Sequence, residues 1–273
     1  MAERTYKLAV IGTGAMGKAL IKGLIDAKVF KPHEIVASDI NKSRLEAFRE
    51  EIKVEIAENI EAASRAEIIL LAVKPMVIVD VLKEVSAHIK SDQMVISIAA
   101  GVTIRRLQSE LEPDVPVIRA MPNTPCMVRA GAIAISRGSE ATDDHIQQAR
   151  AIFGAVGRII EVPERAMDAV TGLSGSGPAY IFVLIEALSD AGVKAGLTRN
   201  QAEFLAVQTV FGAAKMVMDI DKHPAELKDA VTSPGGTTIA GLAALERAAF
   251  RASIVDAVEA AAERSSEIAE EYC

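Results

Sequence analysis

The chain is 273 residues long, half of them hydrophobic and a quarter charged, which is the balance of a soluble globular protein with length for two modest domains. Its formal net charge of -7 argues against a nucleic-acid partner, because a phosphate backbone demands a basic face and no Lys/Arg run supplies one. The opening MAERTYKLAVIG lacks the pattern of a secretory leader and the longest apolar run, Pro178 to Ile185, is too short for a bilayer, so the expected place is the cytoplasm with no membrane partner.

In chain order, the first strand, KLAVIG, runs directly into GTGAMG, residues Gly12, Thr13, Gly14, Ala15, Met16 and Gly17. The first glycine permits a tight turn, the second lets the backbone approach a pyrophosphate, and the third allows a helix to pack closely on the strand, with the helix N-terminus facing the phosphates. The second strand, EIVASD, ends at Asp39, about 20 residues beyond Gly17, the spacing of a carboxylate that takes the adenosine ribose hydroxyls. Asp39 opposes a ribose phosphate and favours NADH, whereas Lys42 and Arg44 just beyond it could clasp that phosphate, so NADPH or NADH stays open. Asp39 also reads as an N-cap for the helix KSRLEAF.

Further strands, EIILLAVKP, QMVISIAAG and VPVIRAM, end in small or polar residues: Ala72, Val73, Lys74 and Pro75; Ala99 and Ala100; and Asn123. Ligands of such sheets lie beyond the carboxyl ends of the strands, so these residues are expected to edge the cofactor. GAIAIS and GRIIEV follow. Continuous apolar strands separated by amphipathic helices predict a parallel sheet covered on both faces, a doubly wound α/β domain over residues 1–163. From 164 to 273 every segment is helical, including the long run from ALERAAF to the C-terminus, and helices such as that around Phe204 to Met218 are apolar on more than one face. Two interlocking chains would cover them.

GLSGSGPAY, residues 172–180, lacks the glycine spacing of a nucleophile elbow and reads as a close-packed loop with Pro178 in the first turn of a helix. Cys126 and Cys273 make neither a disulfide framework nor a metal motif, and the four histidines, scattered in polar surroundings, read as surface residues; no metal is expected. TSPGGTT, residues 232–238, breaks a helical region with more small and flexible residues than a turn requires.

VIGTGAMG, AVKP, RAMPNTP, TGLSGSGPAY and above all LKDAVTSPGGTTIAGL resemble the delta-1-pyrroline-5-carboxylate reductases, over essentially the whole chain and in the same order. The resemblance implies a Rossmann-like first domain binding NADPH or NADH and an all-α second domain forming an intertwined homodimer, with dimers often joined into rings. It implies that Ser233 and the amides of Gly236, Thr237 and Thr238 hold the carboxylate of 1-pyrroline-5-carboxylate. The Thr238 hydroxyl would hydrogen-bond the ring nitrogen as the catalytic contact, and a cofactor-contacting asparagine falls on Asn59. Asp39 stands where many members carry Ser or Thr. The β-hydroxyacid dehydrogenases share the two-domain plan but carry a lysine followed four residues on by asparagine, and here Lys215 is followed by Asp219. A nucleotide sensor would not need TSPGGTT. A cyclic imine arrives protonated, which fits a chain with no convincing catalytic histidine.

Overall fold

The computed structural model describes residues 4–272; the first residues read for a leader, and Cys273, lie outside that range. Its contacts divide the chain into two units, residues 1–176 with 259–273, and residues 177–258.

The first unit alternates β1 (Tyr6–Ile11), α1 (Ala15–Asp26), β2 (Ile35–Ser38), α2 (Lys42–Ile52), β3 (Glu55–Ile56), α3 (Asn59–Ser64), β4 (Ala66–Leu71), α4 (Pro75–Val85), β5 (Met94–Ser97), α5 (Ile104–Gln108) and β6 (Val117–Met121). It continues with β7 (Gly131–Arg137), α6 (Asp143–Gly154), β8 (Gly157–Glu161) and the single turn α7 (Met167–Val170). The strands form one sheet in the order β3-β2-β1-β4-β5-β6-β7-β8. Chain order reverses at β1, so the crevice between the ends of β1 and β4 is where a dinucleotide-binding sheet takes its ligand. Leu8 and Val10 pack with Leu24, Phe48 and Phe153 on one face, while Ile11, Ile69 and Leu71 pack with Ile78 and Leu82 on the other. The central strands are therefore buried on both faces, which is why they read as continuous apolar runs rather than alternating ones.

Two details correct the sequence expectation. The two-residue β3 was not visible as a strand, because so short an edge has no periodicity of its own. The strand GAIAIS, β7, pairs antiparallel with β6, through Ile118 with Arg137 and Met121 with Ala134. The connection from Met121 to Gly131 holds only a 3-10 turn, Thr124–Val128, too short for the crossover helix that a parallel return requires, so the chain reverses instead.

The second unit holds α8 (Gly177–Lys194), α9 (Arg199–Asp219), α10 (Pro224–Ala230), α11 (Thr237–Arg247) and the first part of α12 (Phe250–Tyr272). α8 and α9 pack at small residues: a Cβ built on Gly192 would stand 2.8 Å from that of Ala202, and Ala202 and Ala206 are the buried residues of α9. The long C-terminal run expected as one helix is two, parted at Ala248 and Ala249, where Ala249 adopts φ 55°. No glycine or proline marks that break, so composition could not show it. Two of the histidines cap helices: the His223 Nδ1 accepts from the Ala225 amide at 3.2 Å, and the His145 Nδ1 accepts from the Thr142 amide at 3.0 Å. Among the described residues no helix is long and apolar enough to cross a membrane.

Candidate functional site

The glycine-rich loop sits at the reversal point of the sheet, and its backbone is fixed by neighbours on both sides. Gly12 holds φ 104°, and a Cβ there would lie 2.7 Å from the Ala72 carbonyl oxygen, so both conformation and space exclude other residues. A Cβ on Gly17 would collide with the Gly12 carbonyl oxygen, while one on Gly14 would meet nothing within 4 Å. Gly14 is also the N-cap of α1 and offers no side-chain cap, and the first turn carries no acidic residue. The amides of Ala15, Met16 and Gly17 therefore lack an intrahelical acceptor at an open, electropositive helix start. That combination, open space over Gly14 and free first-turn amides, fits a dinucleotide pyrophosphate.

The end of β2 is bonded to this loop. Gly12 N donates to the Ser38 carbonyl at 2.8 Å; the Asp39 Oδ2 accepts from the Thr13 amide at 2.7 Å and from its hydroxyl at 2.8 Å. The Asp39 Oδ1 accepts from the Asn41 amide at 2.8 Å, and an Arg44 Nη1 lies 3.6 Å from Oδ2. Burial works to raise the Asp39 pKa, but the Asn41 and Thr13 amides, the Thr13 hydroxyl and Arg44 outweigh it and hold the carboxyl below its usual range. The N-cap of α2 is Asn41, whose side chain accepts from the Arg44 amide at 3.0 Å, so the alternative reading of Asp39 as that cap does not hold. Asn59 opens α3 beside the same strand end; it accepts from the Ser38 hydroxyl at 2.7 Å and donates to Glu84 Oε2 at 2.8 Å.

At the neighbouring strand ends, Ala72 N donates to Ile11 O at 2.8 Å, which sets Ala72 and Val73 against Gly12, while Lys74 caps α4 and Pro75 opens it. Ala99 is buried and Ala100 half-buried just beyond β5. Asn123 is buried with both ends of its amide in use, the Oδ1 accepting from Ala132 N and the Nδ2 donating to Ser174 O, each at 2.9 Å. Its polar end thus ties β7 to the segment Thr171–Gly175. That segment, expected as a loop, is a π-helical turn, with Thr171 Oγ1 donating to Met167 O and Ser174 Oγ to Val170 O. Both hydroxyls are spent on local carbonyls, as in a structural turn and unlike an activated nucleophile.

In the second unit, TSPGGTT is the start of α11. Gly235 takes φ 67°, Gly236 is the N-cap, and no acidic residue occupies the first turn. The Gly236 amide donates to Ser233 O at 3.1 Å, closing the turn, so that amide is engaged within the chain. The amides of Thr237 and Thr238 follow at the helix start, where no intrahelical carbonyl can reach them. Two successive amides beside a helix dipole form a seat for a carboxylate, and the half-buried Thr238 adds a hydroxyl.

Residues 164–268 match the family model for pyrroline-5-carboxylate reductase dimerisation, and residues 7–101 match a model described as NADP oxidoreductase coenzyme F420-dependent. A pyrroline-5-carboxylate reductase of Synechocystis is 47% identical over 97% of this chain and 98% of its own length; the one from Escherichia coli is 40% identical over 96% and 98%. The chain belongs to the pyrroline-5-carboxylate reductase family. Solved reductases agree: the structure from Coxiella burnetii superposes with a TM-score of 0.90 at 37% identity over 97% of this chain and 98% of that one. That from Plasmodium falciparum, described with NADP bound, gives 0.88 at 34% identity over 98% and 100%.

The dimerisation match includes α8 to α11, and these helices leave large apolar side chains exposed in the single chain, among them Phe182 (64%), Phe204 (68%) and Phe211 (60%). Self-association of this reductase accounts for that composition. Lys215, where the β-hydroxyacid dehydrogenase pattern would need a partner asparagine, is ion-paired with Asp219 on an exposed face of α9.

Proposed function

We propose that this chain reduces 1-pyrroline-5-carboxylate to L-proline with NADPH or NADH, the last step of proline biosynthesis, in the cytoplasm where the reduced dinucleotide is available. The observation that carries the reading is the start of α11, where a glycine turn presents the Thr237 and Thr238 amides with no competing acid in the first turn. Residues 1–163 serve as the dinucleotide-binding domain, and residues 164–273 dimerise and hold the substrate. The dimer is intertwined, helices of one protomer complete the neighbour's site, and dimers join into rings. This assembly rests on the family resemblance and on the exposed apolar helices.

The GTGAMG loop seats the pyrophosphate on the open amides of α1, with Ala72, Val73, Lys74, Pro75, Ala99 and Ala100 edging the rest of the cofactor. When bound, the nicotinamide supplies a hydride to the C=N carbon. The Thr237 and Thr238 amides fix the substrate carboxylate, with Ser233 shaping the turn, and the Thr238 hydroxyl oxygen accepts from the N–H of the protonated ring. Because the iminium already carries its proton, no side chain has to act as general acid, and what remains is orientation and exclusion of water.

Thr238→Ala tests this reading. Losing one hydrogen bond costs roughly 1–3 kcal/mol in the transition state, or about 10- to 100-fold in turnover, because the amides still position the ring. Cofactor affinity and melting temperature should stay at wild-type values. Wild-type turnover, or a lower melting temperature with normal turnover in the folded fraction, would reduce the turn to a helix start.

A further inference from the structure

The carboxylate just beyond β2, Asp39, is already largely employed by the protein. Its side chain is only 7% exposed, and its two oxygens offer about four acceptor sites, three of which take Thr13 N, Thr13 Oγ1 and Asn41 N. A ribose diol needs two acceptors facing it. To provide them, Asp39 would have to release Thr13, which is 3% exposed and would then bury an unpaired amide. The negative charge is likewise answered by these donors and by Arg44, at 3.6 Å and half exposed. Lys42 is paired with Glu58 at 2.6 Å.

The pattern of bonds says what the carboxylate does instead. Two consecutive amides of the loop, Gly12 N and Thr13 N, are held by the last residue of β2 and the one after it, through Ser38 O and Asp39 Oδ2. These bonds set the Gly12–Thr13 peptide and so the direction in which Gly14 and the α1 amides face. We propose that Asp39 is a positioning residue for the glycine-rich loop, acting through Thr13, and that it leaves the choice between NADH and NADPH nearly unaffected. The inference rests on the reading of that loop as the dinucleotide seat, and it reverses the sequence expectation that Asp39 opposes the ribose phosphate.

Calorimetric titration of NADPH and of NADH into the full-length wild type, Asp39→Ser, Asp39→Asn, Thr13→Val and the Asp39→Ser/Thr13→Val double variant tests it. Asp39→Ser should raise both dissociation constants about tenfold, with their ratio within about twofold of wild type. Thr13→Val, which keeps the amide bond and loses the hydroxyl one, should raise both by less, and the double variant should fall short of the product of the two single effects. In the cofactor-free protein, hydrogen exchange at the Thr13 amide should quicken in Asp39→Ser while exchange in β4 and β5 stays slow. Asp39→Asn, of nearly the same volume, keeps an acceptor for Thr13 but sets an amide NH2 against another donor, and should weaken both cofactors by less than Asp39→Ser. A tenfold change in the NADPH/NADH ratio with one affinity untouched would show that Asp39 reads the ribose, and overturn the proposal. Unchanged affinities for both, or independent effects of the Asp39 and Thr13 substitutions, would overturn it as well. A wild type that binds neither cofactor, with Thr13 exchange still dependent on Asp39, would instead sink the dinucleotide reading of the loop.

Discussion

Gly17→Ala should cost at least a hundredfold in affinity for either dinucleotide and lower the melting temperature, whereas Gly14→Ala should weaken binding and leave the melting temperature unchanged. The two positions are three residues apart in one loop, and they differ in what surrounds them. A methyl group on Gly17 collides with the Gly12 carbonyl oxygen and approaches Ala72 Cβ at 3.4 Å, so α1 must lift from β1 or the Gly12 peptide must turn. Overpacking of this kind costs about 1–3 kcal/mol in stability, and either escape also displaces the α1 amides that face the phosphates. A methyl on Gly14 meets no protein atom within 4 Å and obstructs only a ligand approaching the N-cap. Titration of each variant beside its melting curve distinguishes the effects. Equal losses of stability would show that Gly14 is a packing glycine rather than an opening.

The second large effect concerns α9. Phe204→Glu combined with Phe211→Glu should give a monomer that turns over pyrroline-5-carboxylate more than a hundredfold more slowly, yet binds NADPH as the wild type does. Phe204 and Phe211 are 68% and 60% exposed in the single chain, with Val207 and Met218 also open. Burying a phenylalanine stabilises by about 1.5–3 kcal/mol, and in a symmetric pair each substitution counts twice, so roughly 6–12 kcal/mol of association energy is lost before the cost of burying carboxylates is added. A nanomolar dimer holds only about 12 kcal/mol. Both sites lie on the solvent side of the α8–α9 pair, away from its buried Ala202 and Ala206, so the helices themselves should persist. Light scattering and circular dichroism provide the check, and a monomer with full turnover would contradict an active site shared between protomers.

The fold was legible wherever local sequence decides it. The central strands announced themselves as apolar runs because helices cover both faces, and GTGAMG marked the loop because Gly12 and Gly17 have no alternative residue. What stayed hidden depends on distant partners. The reversal of β7 follows from the shortness of the Met121–Gly131 connection and from its pairing with β6, not from its composition. Asp39 meets Thr13 because β1 and β2 lie in register, Val10 beside Ala37 and Ile11 beside Ser38, which sets the two loops side by side. Periodicity carries no trace of that register. Asn123 stands at a strand end as its place in the sequence suggested, and the partners of its side chain, Ala132 N and Ser174 O, come from segments that only the folded sheet brings near. The break at Ala249 is a non-glycine residue in the left-handed region, a conformation that sequence preference argues against.

The most direct measurement mixes the purified full-length protein with NADPH and 1-pyrroline-5-carboxylate, follows the loss of reduced nicotinamide, and quantifies proline in the same sample. One proline should form per NADPH consumed, with no oxidation when the imine is omitted or replaced by a 3-hydroxy- or 3-oxo-acid. Cofactor binding without imine-dependent oxidation, or oxidation that yields no proline, would contradict the assignment of this chain as the reductase that closes the proline pathway.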